Sequence, residues 1–346
     1  MNKHITILLI TAALVLASCG GKQQKKSYDE MGESGLTTRT EHLRDNLRAG
    51  FKERVIIGQL YGTLQGMGWT GDSARSDMKT ACGDGPAAVG YSLNGIECGA
   101  SLNSDSLTFD AIRHDVLQNF RKGALITMTW TPAADAAKPE KLKTYVTQLA
   151  KYLNTLQDDY GIKAPVVLFP YPLDGASWVA SMPAADYQQL FHQTVSLLKE
   201  QQTTNAIFGF ATDGSLERCP VDDIDVVELR RLLSVADSSL FQQQVADVLP
   251  QVCAFAQEHF KAIGITTGIE GNTHPTFYSQ QLLPLLEQNR LSYLMLGRNY
   301  GHPEGGHYHV PYPGAANELM ADFTRLYNSK STLFQHDLNG LYLSRP

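Results

Sequence analysis

Val166-Val167-Leu168-Phe169-Pro170-Tyr171-Pro172-Leu173-Asp174-Gly175-Ala176-Ser177-Trp178 carries the reading of this chain. It opens as a short apolar run and breaks into prolines, an acid and a glycine, which is how a buried strand runs out into a loop. Downstream, Tyr187–Lys199 repeats its apolar residues at three- and four-residue spacing, the period of a helix with one face packed. Strand, loop and helix make one β/α unit, and the pattern recurs along the chain. Candidate strands are Arg54–Gln59, Ala87–Leu93, Ala124–Trp130, Val166–Tyr171, Ala206–Ala211, Asp225–Leu229, Ala262–Thr267 and Ser292–Gly297, with Tyr145–Leu156 a second clear helix. Eight such strands predict an α/β protein built as a (β/α)8 TIM barrel, a fold of about 250 residues. Its reactive or binding groups belong at the C-terminal strand ends and the loops that follow. Those are Gln59, Leu93, Trp130-Thr131, Leu173-Asp174, Thr212-Asp213, Thr266-Thr267 and Gly297-Arg298.

The N-terminus is of another kind. Met1-Asn2-Lys3-His4 is a short basic start, followed by an apolar run from Ile5 to Ala17. That is a secretory signal, too short for the roughly 20 residues that span a bilayer. Leu16-Ala17-Ser18-Cys19 resembles a bacterial lipobox, which implies cleavage before Cys19 and acylation of that cysteine. The expected division is a signal peptide over 1–18, a lipidated flexible tether over 19–50 and the barrel over 51–346. The expected location is the bacterial cell envelope, exported and held to a membrane, the outer one foremost, by the lipid on Cys19. Cys82, Cys98, Cys219 and Cys253 form no paired metal pattern, and they read as buried thiols with Cys82–Cys98 the one bridge candidate. A net charge of −6 with scattered Lys and Arg argues against a nucleic-acid partner. Nothing calls for a cofactor or a resident metal. His302, His307 and His309 lie close together, but in a Gly-rich loop that reads as solvated.

Four ordered segments carry a resemblance. They are Arg75-Ser76-Asp77-Met78 with Cys82–Ala87; Tyr187–Leu198; Pro275-Thr276-Phe277-Tyr278 with Leu282-Leu283-Pro284 and Ser292-Tyr293; and Arg298-Asn299 with Tyr308–Ala315. With the opening stretch they resemble glycoside hydrolase family 26, the β-mannanases and relatives, over about 55–343. The resemblance implies an acid/base Glu in an Arg-Pro-x-His-Glu-x-x-Gly-x-Trp segment, where this chain has Phe169 for the Arg, Pro172 for the His and Leu173 for the Glu. It implies a nucleophilic Glu at the end of strand seven, where Thr266 stands. The family's sugar-binding His after strand three becomes Thr131, the Tyr that orients the nucleophile becomes Phe210, and the Trp beneath the cleaved sugar becomes Gly297. A leucine cannot transfer a proton, and hydrolysis with retention needs two carboxyl groups about 5–5.5 Å apart.

The residues therefore predict a barrel without catalytic residues that binds glycan. Sugar C–H faces stack on aromatic rings, which makes Trp69, Trp130, Tyr171, Trp178, Phe277, Tyr278 and Tyr300 candidates, with Arg298 and Asn299 as polar donors. The expected ligand is a mannan-like β-linked polysaccharide or oligosaccharide, taken up with protein partners in a glycan-utilisation system. Two alternatives stand beside this: a hydrolase of the endo-β-mannanase type working through displaced acids, Asp174 with Glu270 or Asp213, and a scaffold that binds only protein.

Overall fold

The structure is a computed structural model describing residues 29–345, apart from 73, 175 and 176. Eight parallel strands close on themselves: β1 Val55–Leu60, β2 Ala88–Ser92, β3 Leu125–Trp130, β4 Val166–Pro170, β5 Ala206–Thr212, β6 Val226–Ser234, β7 Ala262–Glu270 and β8 Tyr293–Leu296. Closure comes from β8 against β1, with Ile56 beside Tyr293 and Gln59 beside Leu296. Every predicted strand is present; β6 and β7 run several residues further, paired out to Ser234 and Glu270.

Helices α1 Thr38–Ala49, α2 Asp77–Cys82, α3 Phe109–Arg121, α4 Pro139–Asn154, α5 Ala184–Glu200, α6 Leu249–Glu258, α7 Leu283–Gln288 and α8 Asn317–Tyr327 accompany the barrel. Between β5 and β6 the link is a single 3₁₀ turn, Val221–Asp223. Among the described residues, no helix is long and apolar enough to cross a membrane.

Alternation along each strand splits the apolar side chains into two cores. Ile57, Ile126, Met128, Val166 and Leu168 point outward against the helices. Ile56, Leu125, Val167, Phe169, Ile207, Val226, Ala262, Tyr293 and Met295 point into the barrel. Below them α1 seals the N-terminal end, the base, with Leu43 and Leu47 fully buried in the inner core. Thr37 caps this helix by accepting from the Thr40 N–H, and Asn46 Nδ2 donates to the Leu341 and Leu343 carbonyls at 2.8 and 2.9 Å.

The expectation of a tether to residue 50 is thus corrected. Residues 29–50 are part of the folded unit, because two leucines one turn apart suffice to plug the base. Cys19 and the remainder of the expected tether lie outside the described residues.

The expected Cys82–Cys98 bridge is absent: the four described cysteines are free. Burial pushes the Cys82, Cys219 and Cys253 thiols up to about 12, so they stay protonated.

Candidate functional site at the barrel mouth

The C-terminal ends of the strands open into two hollows that share Ser92, Thr129 and Arg230. The first, about 320 Å³, is walled by Tyr61, Asp105, Arg298, Tyr300, Glu270 and His309. The second, about 450 Å³, is walled by Asn94, Thr131, Pro132, Pro172, Asp174 and Trp178.

Arg230 stands at the centre. Strand β6 alternates, so Glu228 and Arg230 both face the barrel interior while Leu229 faces the helices. Glu228 is 1% exposed; it accepts from Tyr293 Oη at 2.6 Å and pairs with Arg230 Nη1 at 3.1 Å. The same guanidinium donates to Thr266 Oγ1 at 3.5 Å and pairs through Nε with Asp174 at 3.3 Å. Burial alone pulls the Arg230 pKa down, but Glu228 and Asp174 beside it hold it above the ordinary value. Arg230, 12% exposed, is therefore a fixed cation against Thr266, the residue expected at the nucleophile's position.

A second polar chain lines the first hollow. Tyr61 Oη donates to Asp105 at 2.6 Å, and Asp105 pairs with Arg298 Nη1 at 3.0 Å. The Arg298 guanidinium lies 4.0 Å over the Tyr300 ring, whose other face stacks on His307 at 4.4 Å and 11°. His307 Nδ1 and Tyr300 Oη in turn reach Glu270 Oε1 at 2.9 and 3.3 Å.

His309 closes the floor of this hollow. It occupies the place a side chain at position 297 would need: a Cβ on Gly297 would lie 2.3 Å from the imidazole. Its Nδ1 is buried without a partner, and burial lowers its pKa to about 4.

The structure sorts the residues singled out by sequence. Phe169 does face the barrel interior, its ring packed where a Cβ on Gly209 would come within 2.1 Å, and Thr266 faces the mouth. Leu173 does not: Tyr171 takes a left-handed turn (φ 55°), the Leu173 N–H binds the Ala211 carbonyl at 2.9 Å, and its side chain joins the helix-side core. Its neighbour Asp174, 43% exposed, and Pro172 line the mouth instead. Phe210 points outward onto Tyr187 at 6.0 Å, so it does not face Thr266; Gly209 and Ala211 take the inward places on β5.

Most of the expected sugar-stacking rings are corrected as well. Trp130 falls on the outward parity of β3, fully buried, with Nε1 donating to Glu97 at 3.1 Å. Tyr171, Phe277 and Tyr278 are fully buried in the helix-side core. Trp69 is nearly buried, its Nε1 held by Asp77 at 2.9 Å, and it lines neither hollow. Asn299 is a buried brace that donates to Asp77 and the Val310 carbonyl, both at 2.8 Å. Tyr300 lies at the mouth, but both ring faces are taken.

Of the aromatic set, Trp178 is the ring left to a ligand, half-buried in the second hollow with Nε1 on the Pro132 carbonyl at 2.8 Å. Of the displaced acids, Asp213 supports its own loop, accepting from Ser215 N at 3.2 Å, and lines neither hollow. Among the described residues no group of His, Cys, Asp or Glu converges as a metal site.

Glu228, Arg230 and Tyr293 were not among the site residues expected from sequence. The signal was available: two opposite charges two residues apart in a strand share one face.

No protein-family model matches the chain. Solved structures do. A family 26 β-mannanase from Bacteroides ovatus superposes with a TM-score of 0.81 at 26% identity, covering 88% of this chain and 97% of that one. A family 26 protein from Muricauda gives 0.78 at 22% identity over 90% and 95%. An endo-β-1,4-mannanase from Cellulomonas fimi gives 0.74 at 21% over 89% and 78%. The chain has the family 26 β-mannanase fold.

Proposed function

We propose that this protein is an exported lipoprotein, held to the cell envelope through Cys19, whose barrel binds a mannan-like β-linked polysaccharide without cleaving it. The observation that carries the reading is Arg230. In the family pattern a nucleophile at position 266 needs an open approach to the sugar; here a guanidinium clamped by Glu228 and Asp174 lies against Thr266. An arginine held this way stays protonated at neutral pH and cannot serve as a general acid, since Glu228 and Asp174 raise its pKa above the ordinary value.

The second hollow supports the binding half of the reading. Trp178 offers an apolar face beside the polar edges of Asn94, Thr131 and Asp174, the mixture that a sugar with C–H faces and hydroxyl rims requires.

One observation favours a hydrolase reading: Asp174, not Leu173, reaches the mouth. Against it, Asp174 lines one hollow and Glu270 the other, with Arg230 between them.

One purified sample separates these readings. The expected result is retardation by at least one of galactomannan, glucomannan or xylan in affinity electrophoresis, with no release of dye from a chromogenic mannan. Turnover abolished by Asp174→Asn or Glu270→Gln would instead establish the displaced-acid hydrolase. No retardation by any polysaccharide would leave a protein-binding scaffold.

A further inference from the structure

The end of the barrel opposite the mouth has a surface of its own. Phe260 lies 84% exposed in the turn between α6 and β7, held at φ 55°. A lone exposed aromatic is ordinary; its neighbours are not. Two adjoining hollows on the base, about 520 and 920 Å³, share Gly50, Arg290 and Leu291. Arg48, Lys261 and Arg290 line the first with no acid, and Lys52, Arg54, Arg290 and Arg345 line the second with Glu53 and Glu287.

Arg48 is paired with Asp225 at 2.5 Å and Arg54 with Asp337 at 2.8 Å. The remaining cations make no ion pair with a carboxylate among the described residues, and the Arg345 guanidinium lies 4.1 Å over the Phe51 ring. Lys261, Arg290 and Arg345 donate to the backbone carbonyls of Ile224, Ala49 and Gly50 at 2.7, 3.3 and 2.6 Å. Lys52 meets no carboxylate within ion-pair distance among the described residues. A cationic face around an exposed aromatic stands out on a chain with net charge −6.

The chain leaves the fold on that same side. Asp29 accepts from the Lys163 N–H at 2.9 Å and Thr37 N donates to the Thr204 carbonyl at 2.9 Å; residues 163 and 204 immediately precede β4 and β5. From residue 29 back to Cys19 the backbone reaches about 35 Å when fully extended.

We propose that the base of the barrel docks on an anionic phospholipid surface, with Phe260 entering the headgroup layer and Lys52, Lys261, Arg290 and Arg345 meeting lipid phosphates. The proposal rests on the anchoring reading for its setting, because a lipid on Cys19 holds this face within reach of the bilayer. Several acyl chains on one cysteine suffice for lasting attachment, so the basic face sets the orientation of the barrel rather than its attachment. Docking sets the barrel axis upright and turns the mouth, with Arg230 and Trp178, away from the membrane and toward a polymer arriving from outside.

The test uses the mature chain carrying Cys19→Ala, which removes the acylation site and leaves all of the folded residues intact. It is sedimented with phosphatidylcholine vesicles that either contain or lack phosphatidylglycerol. Retention is expected on the phosphatidylglycerol vesicles alone, and it should vanish at about 1 M salt, where the screening length is about 3 Å. Lys52→Glu with Arg290→Glu should abolish it. Phe260→Asn, which suits the left-handed backbone there, should weaken it, and thermal melts should confirm that both variants fold. Absence of retention, equal retention on both vesicles, or retention unchanged in the charge-reversed variant would overturn docking.

Intact mass of the Cys19 chain extracted from membranes tests the anchor by itself. An acylated chain whose Cys19→Ala form ignores phosphatidylglycerol overturns docking and keeps the anchor. An unacylated chain whose Cys19→Ala form is retained overturns the anchor and supports docking.

Discussion

The base and the mouth of this barrel are made from the same eight strands and filled by opposite chemistry. At the base, Leu43 and Leu47 of α1 pack in one apolar cluster with Ile56, Leu125, Val226 and Ala262. At the mouth the inward positions of the same strands hold Thr129, Arg230 and Thr266, with Glu228 one layer below. The apolar end removes hydrocarbon from water and holds the fold together. The polar end keeps desolvated charges in place, which brings little net stability but presents a shaped, hydrogen-bonding surface. A substitution should therefore report which end it belongs to by whether it moves stability or binding.

The sharpest division runs between two tryptophans, and the larger effect belongs to the one that does not touch the mouth. Trp130 is fully buried against the helix layer. Trp130→Ala should cost about 3–5 kcal/mol of unfolding free energy, read as a shift in denaturant midpoint, as should be typical of core rather than groove. A change confined to glycan affinity would move Trp130 into the groove.

Arg230 breaks the simple contrast, since it is a mouth residue that should behave like a core one. Arg230→Met strands Glu228 with only Tyr293 for company, and removing one partner of a buried pair costs about 3–5 kcal/mol. Adding Glu228→Gln removes the stranded charge and should recover most of that loss. If the single variant melted like the parent, the central pair would be solvated in solution and the mouth wider than its hollows indicate.

These two residues also mark how far the sequence could be read. All eight strands were legible because each is an apolar run bounded by turn residues, and the likeness to family 26 hydrolases was legible from ordered segments such as Pro275–Tyr278. Parity was not. Trp130, Tyr171 and Phe210 sit within a residue of positions that face the barrel interior, and strand ends read from sequence are uncertain by more than that single residue. Helix α1 was hidden for a different reason: Thr38–Ala49 carries only Leu43 and Leu47 as large apolar residues, so it looks like tether until the open base is there to receive them. Glu228 and Arg230 were passed over because the strand was ended at Leu229, one residue before the charge pair completes.

His309 sharpens the comparison through pH. Its pKa is about 4 in the folded chain against about 6.5 for a free imidazole. The unfolded state therefore binds a proton that the native state refuses, and stability falls as pH drops from about 6.5 to about 4, then levels off. The full loss is roughly 3 kcal/mol. His309→Gln, which keeps a polar side chain of similar reach, should flatten that part of the profile of melting temperature against pH. Above pH 7 the two proteins should run parallel. A His309→Gln profile that bends as steeply as the parent between pH 6 and 4 would mean that other groups carry the acid sensitivity.

The smallest expected effect is the one that decides whether the mouth binds anything. Trp178 is half-buried, its indole N–H is fixed to the Pro132 carbonyl, and its edge meets Tyr171 at 6.3 Å. Fixed in this way it loses little freedom when a sugar stacks on it, so its contribution should show as affinity rather than as order. Trp178→Ala should weaken retardation in a galactomannan or glucomannan gel about tenfold, equivalent to 1.4 kcal/mol, while the melting temperature changes far less than for Trp130→Ala. Tyr300→Ala supplies the contrast, because Arg298 and His307 already cover both faces of that ring. It should disturb Glu270 and its partners without removing a stacking surface, and the affinity loss should be smaller than at Trp178. Equal losses in the two variants would place the ligand across both hollows, over the top of Arg230. A loss only in Tyr300→Ala would put it in the first hollow and leave Trp178 as wall.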